Sequence, residues 1–266
     1  MKVSLCQMCS SSVPEKNMDA VEAAFEVAAA DKSDLLVFPE NMFAMGARFK
    51  SLIEQDWLHY QAVLCTLSKK YQLNCIAGTL PVEDPNDPPK RLANSMFIRS
   101  SGELAYTYNK IHLFDVDLGD EKGNYRESKY YSAGSALVVA DCDGVGVGMT
   151  VCFDLRFPAL YQALRREGAS VIVVPSAFTR LTGPKHWELL LRARAIETQS
   201  YILAPNQVGE HDDGRFTWGH SLVISPDGDV LLDMKDSRGV ESVELDFAKL
   251  EKIRKAMPLR PAEWLS

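Results

Sequence analysis

Short apolar runs alternate with amphipathic segments along the chain. Alternating or continuous apolar residues predict strands at Val3–Met8, Leu35–Pro39, Asn74–Gly78, Ser95–Arg99, Glu103–Asn109 and Leu137–Ala140. Further strands are predicted at Gly144–Cys152, Val171–Pro175, Ile202–Ala204, Ser221–Ser225 and Val230–Asp233. Helical spacing predicts Glu15–Ala30, Phe49–Lys70, Ala159–Glu167, Lys185–Gln199 and Phe247–Ala256. In the first helix Val21, Ala24, Phe25 and Ala28 form one apolar stripe. Pro184 stands just before the fourth, where its missing N–H costs nothing. Turn residues at Arg99–Gly102, Asp141–Gly144 and Ser225–Gly228 predict hairpins, which force antiparallel pairing. Helix-linked strands favour parallel pairing. The chain does both, so the pattern predicts an α/β protein with mixed sheets covered by helices.

Composition narrows the classes. The 266 residues are 46% hydrophobic, enough to bury a sizeable core without disulfide or metal staples. A net charge of -7 argues against general nucleic-acid binding, which needs a basic face, but leaves room for a locally positive pocket. Six scattered cysteines do not make a disulfide scaffold. The N-terminal stretch MKVSLCQMCSSSVPEK has no apolar core of signal-peptide length, and no run approaches a membrane span. A reduced cytoplasmic setting with no membrane contact is the expectation. Glu83–Arg91, EDPNDPPKR, reads as an exposed loop.

In open α/β sheets, functional residues gather at the carboxyl ends of strands. Three predicted strand ends carry reactive groups: LLVFPE ends in Glu40, ELAYTYNK in Lys110 and GVGVGMTVC in Cys152. A thiol, a carboxylate and an ammonium suit acyl transfer. The thiol supplies the nucleophile, the carboxylate moves its proton, and the ammonium stabilises an oxyanion. Each also has an ordinary reading: Cys152 as a small buried hydrophobe, Lys110 as a solvated strand end, Glu40 as a helix-start carboxylate.

The wording of these segments adds to their placement. FPE with Glu40, NKIHLFD with Lys110 and CFDLRFP with Cys152 stand 70 and then 42 residues apart. In that order they resemble the nitrilase, or carbon–nitrogen hydrolase, family. The resemblance reaches RES with Glu127, the run Trp218–Ser221 and nearly the whole chain. It implies a four-layer αββα sandwich with two mixed sheets, one catalytic domain over residues 1–266, no metal, no organic cofactor, and a homodimer or higher homo-oligomer. It implies that Cys152 attacks an amide carbonyl and that Glu40 acts as base and acid. Lys110 and the backbone N–H of Phe153 hold the oxyanion, Glu127 orients Lys110 and the substrate, and a thioester is resolved by water. Asp154 is expected to pair with a nearby base or to cap backbone N–H groups around the turn.

Pro175–Gly209 looks most like the deaminated-glutathione amidase branch, on PSAF and RARAIETQ; TGP and HWE are shared with the ω-amidase branch. The substrate implied is a small α-keto-acid amide: deaminated glutathione or, alternatively, 2-oxoglutaramate, 2-oxosuccinamate or another small amide or carbamoyl compound. The keto-acid substrates are anions, so a cation besides Lys110 is needed. Arg156 is the first candidate, since a guanidinium holds a carboxylate bidentately; its alternative is a salt bridge with Glu167 or Glu197. Ser176, Ala177 and Thr179 follow the next strand and are expected at the same mouth, with Arg180 and Lys185 as further candidates. Lys185 replaces a small residue common in relatives. Cys6 and Cys9 form a CxxC, but residues three apart on a strand point to opposite faces, which argues against a metal. His112 and His220 are expected to make supporting hydrogen bonds. Trp187, Leu190 and Leu191 mark a helix face for core or dimer packing.

Overall fold

The computed structural model describes residues 1–117 and 124–259, so the expected domain over residues 1–266 extends past them. One sheet runs in the order Gly239–Glu244, Lys2–Gln7, Leu35–Val37, Asn74–Glu83, Arg91–Ile98 and Leu104–Asn109, with Tyr131–Ser132 beside Arg91–Ile98. The second runs Val230–Asp233, Leu222–Ile224, Tyr201–Ala204, Val171–Val173, Val145–Met149 and Val139–Cys142. The helix-linked strands Lys2–Gln7, Leu35–Val37 and Asn74–Glu83 pair in parallel, as do Val145–Met149, Val171–Val173 and Tyr201–Ala204. All three predicted hairpins pair antiparallel. At Asp143–Gly144 both turn residues have positive φ, 53° and 86°, the tight geometry that suits a two-residue hairpin loop.

The period of two along the first sheet sorts its residues between two cores. Leu35, Val37, Ile76 and Phe97 pack with Val147, Met149, Val171 and Val173 of the second sheet. Their neighbours Leu36, Cys75, Ala77, Met96 and Ile98 pack instead with Val21, Phe25, Leu64 and Leu67 from the helices Glu15–Ala30 and Trp57–Tyr71. Burying a Val or Phe in such a layer contributes roughly 1.5–3 kcal/mol. The helices Pro158–Arg166 and Gly183–Thr198 cover the second sheet, where Trp187 and Leu191 are buried and Leu190 is half-buried. The result is the αββα sandwich.

Several boundaries differ from the sequence reading. The expected helix Phe49–Lys70 is two, Phe49–Ile53 and Trp57–Tyr71, because Asp56 caps the second by accepting the His59 N–H at 3.1 Å. Gly239–Glu244 was not anticipated; this half-exposed edge strand lacks a strong apolar period. Two short pairs, Asp115–Asp117 with Asn124–Arg126 and Val208–Glu210 with Phe216–Trp218, were also missed. The strand expected to run to Cys152 ends at Met149. No helix among the described residues is long and apolar enough to cross a membrane.

Candidate active site

Cys152 sits three residues past its strand, at the start of a one-turn 3-10 helix over Cys152–Arg156. Its φ is +45°, a region that a residue with a Cβ rarely adopts. Such strain persists only where the surroundings enforce it, and it turns the side chain out of the sheet register toward a cavity. Asp154 enforces it. Fully buried, it accepts hydrogen bonds from the Val151 N–H at 2.9 Å, the Tyr108 hydroxyl at 2.7 Å, the His112 N–H at 3.0 Å and His112 Nδ1 at 2.7 Å. It does both things expected of it, capping the turn and pairing with a base. Tyr108 and His112 flank Lys110, so one carboxylate ties the Lys110 segment to the Cys152 turn. His112 also stacks on Phe157, with ring centroids 3.6 Å apart.

Glu40 follows the strand Leu35–Val37 and is held from three sides. Its Oε2 accepts the Ala177 N–H at 2.9 Å, and its carbonyl accepts Gln207 Nε2 at 2.9 Å. Next to it, Asn41 donates its N–H to Thr79 Oγ1 at 2.9 Å. Gly78 lets this happen: a Cβ there would stand 1.7 Å from the Pro39 carbonyl oxygen. The strand Asn74–Glu83 shifts register between Ala77 and Leu80 at this crossing.

Lys110 Nζ donates to Glu40 Oε1 at 2.8 Å and to the two oxygens of Glu127 at 3.1 and 2.9 Å. Glu127 Oε2 also accepts the Phe114 N–H at 2.6 Å. Burial works against the Lys110 ammonium, but the carboxylates of Glu127 and Glu40 outweigh it, with Cys152 adding to them, and hold the pKa well above the ordinary lysine value. Burial pushes the Glu127 carboxyl up; Lys110 opposes this and the charge of Glu40 adds to it. Burial and the Glu40 carboxylate push the Cys152 thiol well above its usual range, against the pull of Lys110. Glu40, whose charge helps to raise the thiol, is also the carboxylate placed to take its proton.

These four residues open onto a cavity of about 860 Å³. Phe153, Arg156, Ala177 and Thr179 line it. Ser176 does not: it is fully buried, and its hydroxyl donates to the Val174 carbonyl at 2.9 Å. A strand-end alternation places Ala177, not Ser176, toward the cavity. Arg156 forms neither salt bridge considered for it, and Glu197 pairs with Arg194 at 2.9 Å. Instead the guanidinium lies 5.8 Å from the Phe153 ring centroid and 5.4 Å from that of Phe178, with His186 Nδ1 at 3.3 Å. Arg180 lines the cavity, whereas Lys185 is exposed and does not. The sequence reading missed Asp154 as the tie between motifs, Gly78, Gln207 and Arg48, another cavity-lining residue. Only the acid inside CFDLR was a visible signal.

His220 makes a supporting contact to Asp233 at 3.0 Å and stacks on Trp218. Cys6 is buried among the helix-facing core, whereas the Cys9 thiol points to the Glu210 carbonyl at 3.2 Å.

The carbon-nitrogen hydrolase family model matches residues 2–255. A deaminated glutathione amidase of Yersinia enterocolitica is 40% identical over 261 residues, covering 97% of this chain and 91% of that protein. A chloroplastic omega-amidase of Arabidopsis thaliana is 33% identical, covering 97% of this chain and 70% of that one. The crystal structure of the Caenorhabditis elegans NitFhit protein superposes with a TM-score of 0.91 at 32% identity, covering 97% of this chain and 63% of that one. On its sequence and its sandwich alike, the chain belongs to the carbon–nitrogen hydrolase family and is an amide-hydrolysing enzyme.

Proposed function

We propose that the enzyme hydrolyses deaminated glutathione to 2-oxoglutarate and cysteinylglycine through a thioester on Cys152. The observation that carries this reading is the charge of the cavity. Among the described residues lining it, Arg48, Arg156 and Arg180 add to Lys110 and to Arg215, which Asp213 answers, while the lining carboxylates are Glu40 and Glu127, on a protein of net charge -7. A cavity of about 860 Å³ with that excess suits an anion larger than a simple primary amide. The relatives named deaminated glutathione amidase agree with it.

The geometry supports the following chemistry. Glu40 takes the Cys152 proton as sulfur attacks the amide carbon. The oxyanion that forms is met by the Lys110 ammonium and the Phe153 N–H. The neighbouring N–H groups are already used, Cys152 by the Pro175 carbonyl and Asp154 by that of Val151. The C–N bond then breaks, and Glu40 gives its proton to the departing nitrogen. Water enters, Glu40 takes its proton, and hydroxide adds to the thioester carbon. Collapse expels the Cys152 sulfur, which regains the proton, and releases the carboxylic acid. Glu127 holds Lys110 in place throughout. Arg156, half-buried between two aromatic faces and next to Phe153, is the cation for the carboxylate of the keto-acid half.

A cytoplasmic, reducing setting is supported by six free cysteines. Self-association is supported by Leu189 and Ile196, 69% and 45% exposed and seven residues apart on the helix Gly183–Thr198.

The test is a side-by-side rate assay with deaminated glutathione and 2-oxoglutaramate, with Cys152→Ala as the blank. The expected result is a kcat/KM at least about tenfold higher for deaminated glutathione, equal to about 1.4 kcal/mol of transition-state binding. Cys152→Ala should keep the fold and abolish turnover of both. The reverse ratio would make the enzyme an ω-amidase.

A further inference from the structure

The two halves of a cleaved amide leave at different times, and the cavity treats them differently. The acyl half must stay beside Cys152 until water arrives. Arg156, four residues from Cys152 and half-buried, is placed for that half. The amine half must leave first, outward. The rim there is built from three segments that meet. The backbone N–H of Arg180 donates to the Phe216 carbonyl at 3.0 Å, Thr179 bridges to Thr217, and Gly46 packs so tightly on Asp213 that a Cβ would stand 2.9 Å from its carboxyl carbon.

Each of these segments brings an arginine to the cavity: Arg48, Arg180 and Arg215. Arg215 is already answered by Asp213, with its Nε 2.6 Å from the carboxylate. Arg48 and Arg180 are exposed, and neither has a carboxylate partner among the described residues. Among the described residues, the Arg180 guanidinium packs on the face of Phe216, 5.8 Å from the ring centroid. Two guanidinium groups without a carboxylate partner among the described residues line a cavity that is already cationic, and that local potential draws an anion.

We propose that Arg48 and Arg180 form a leaving-group site that binds the terminal carboxylate of a peptide-like amine. This rests on the function proposed above and assigns its two ends: keto-acid carboxylate on Arg156, peptide carboxylate at the rim. The rim acts only while the C–N bond is intact. Deaminated glutathione and 2-oxoglutaramate share one acyl-enzyme, so the rim governs acylation and not thioester hydrolysis. It therefore sets which amine may be attached to the acyl group.

The experiment compares deaminated glutathione with its C-terminal carboxamide in the wild type, Arg48→Ala, Arg180→Ala and the double variant. Both positions are exposed, and unchanged Tm values check the fold. In the wild type the carboxylate form should have a kcat/KM roughly 10- to 100-fold above the carboxamide. In the double variant that ratio should fall to near 1, through the carboxylate form alone. Added salt should shrink the wild-type ratio, because exposed charges are screened. A ratio that survives in the double variant overturns the inference while leaving the substrate assignment intact. A wild type that turns over neither form but cleaves 2-oxoglutaramate overturns the substrate assignment itself.

Discussion

The base and the mouth of the cavity are built on opposite principles. At the base, Lys110 meets two carboxylates, Glu127 also takes the Phe114 N–H, Glu40 takes the Ala177 N–H, and Asp154 receives four donors. At the mouth, Arg48 and Arg180 have no carboxylate to meet among the described residues. Saturated buried charge cannot rearrange cheaply, so the base is preorganised for one reaction. Unsaturated exposed charge costs little to keep and binds whatever anion fits. On the proposed mechanism, the difference would separate the residues that react from those that select.

The contrast is sharpest for the thiol. Burial and Glu40 raise its pKa, and Lys110 only partly offsets them. The rate of inactivation by iodoacetamide should still be climbing at about pH 9.5, where a free cysteine, with a pKa near 8.5, has levelled off. At about pH 7.5 it should run slower than that of a cysteine peptide, because a raised pKa leaves less thiolate. Glu40→Gln removes the raising charge and should bring the midpoint down. A plateau with a midpoint at or below about 8.5 in the wild type would mean that Lys110 wins and the thiolate is preformed.

Next in size is Gly78→Ala. With the Pro39 oxygen 1.7 Å from the new Cβ, backbone must move, and Glu40 moves with it. Overpacking of this kind costs about 1–3 kcal/mol of stability. A displacement near 1 Å at a reacting group lowers the rate by roughly 100-fold. The expected result is a lower kcat in protein that still folds at 20 °C, with KM for deaminated glutathione changed less than about threefold, since the rim is untouched. A larger rise in KM than fall in kcat would break the division between base and mouth.

How much of this was legible in the sequence depends on whether a feature is local. The apolar stripe of Val21, Ala24, Phe25 and Ala28 and the three hairpins were legible because side-chain period and turn residues act over a few positions. Glu40, Lys110, Glu127 and Cys152 were legible through the wording of their segments; spacing alone left each with an ordinary alternative. Ser176 was misplaced because the period of two fails at a strand end, where one residue of register decides which side chain meets the cavity. Gly78 and Gln207 were illegible because each acts on a segment far along the chain, 38 residues away for Gly78 and 167 for Gln207. Arg48 was illegible because its proposed role rests on the absence of a carboxylate partner among the described residues, and only a folded chain shows which charges go unanswered.

The smallest effect tests the tie between motifs. Tyr108→Phe deletes one of the four donors to Asp154 and the acceptor of the Ile111 N–H, 3.3 Å away, while leaving the ring in the core. Asp154 keeps His112 and the Val151 N–H, so the carboxylate is not orphaned. The stability loss should be about 1 kcal/mol, typical of one net hydrogen bond, or a fall in Tm of about 2–4 °C. If the tie only held the fold, kcat would not move. If it sets where Lys110 stands relative to Cys152, kcat should fall about three- to tenfold at constant KM, because the oxyanion contact forms only in the transition state. Ile98→Val supplies the control: a buried truncation on the helix side of the first sheet with a similar stability cost of about 0.5–1.5 kcal/mol. Equal losses of Tm with unequal losses of kcat would identify Asp154 and Tyr108 as positioning residues. Equal losses of both would reduce them to packing, and the preorganised base would end at the residues that touch substrate.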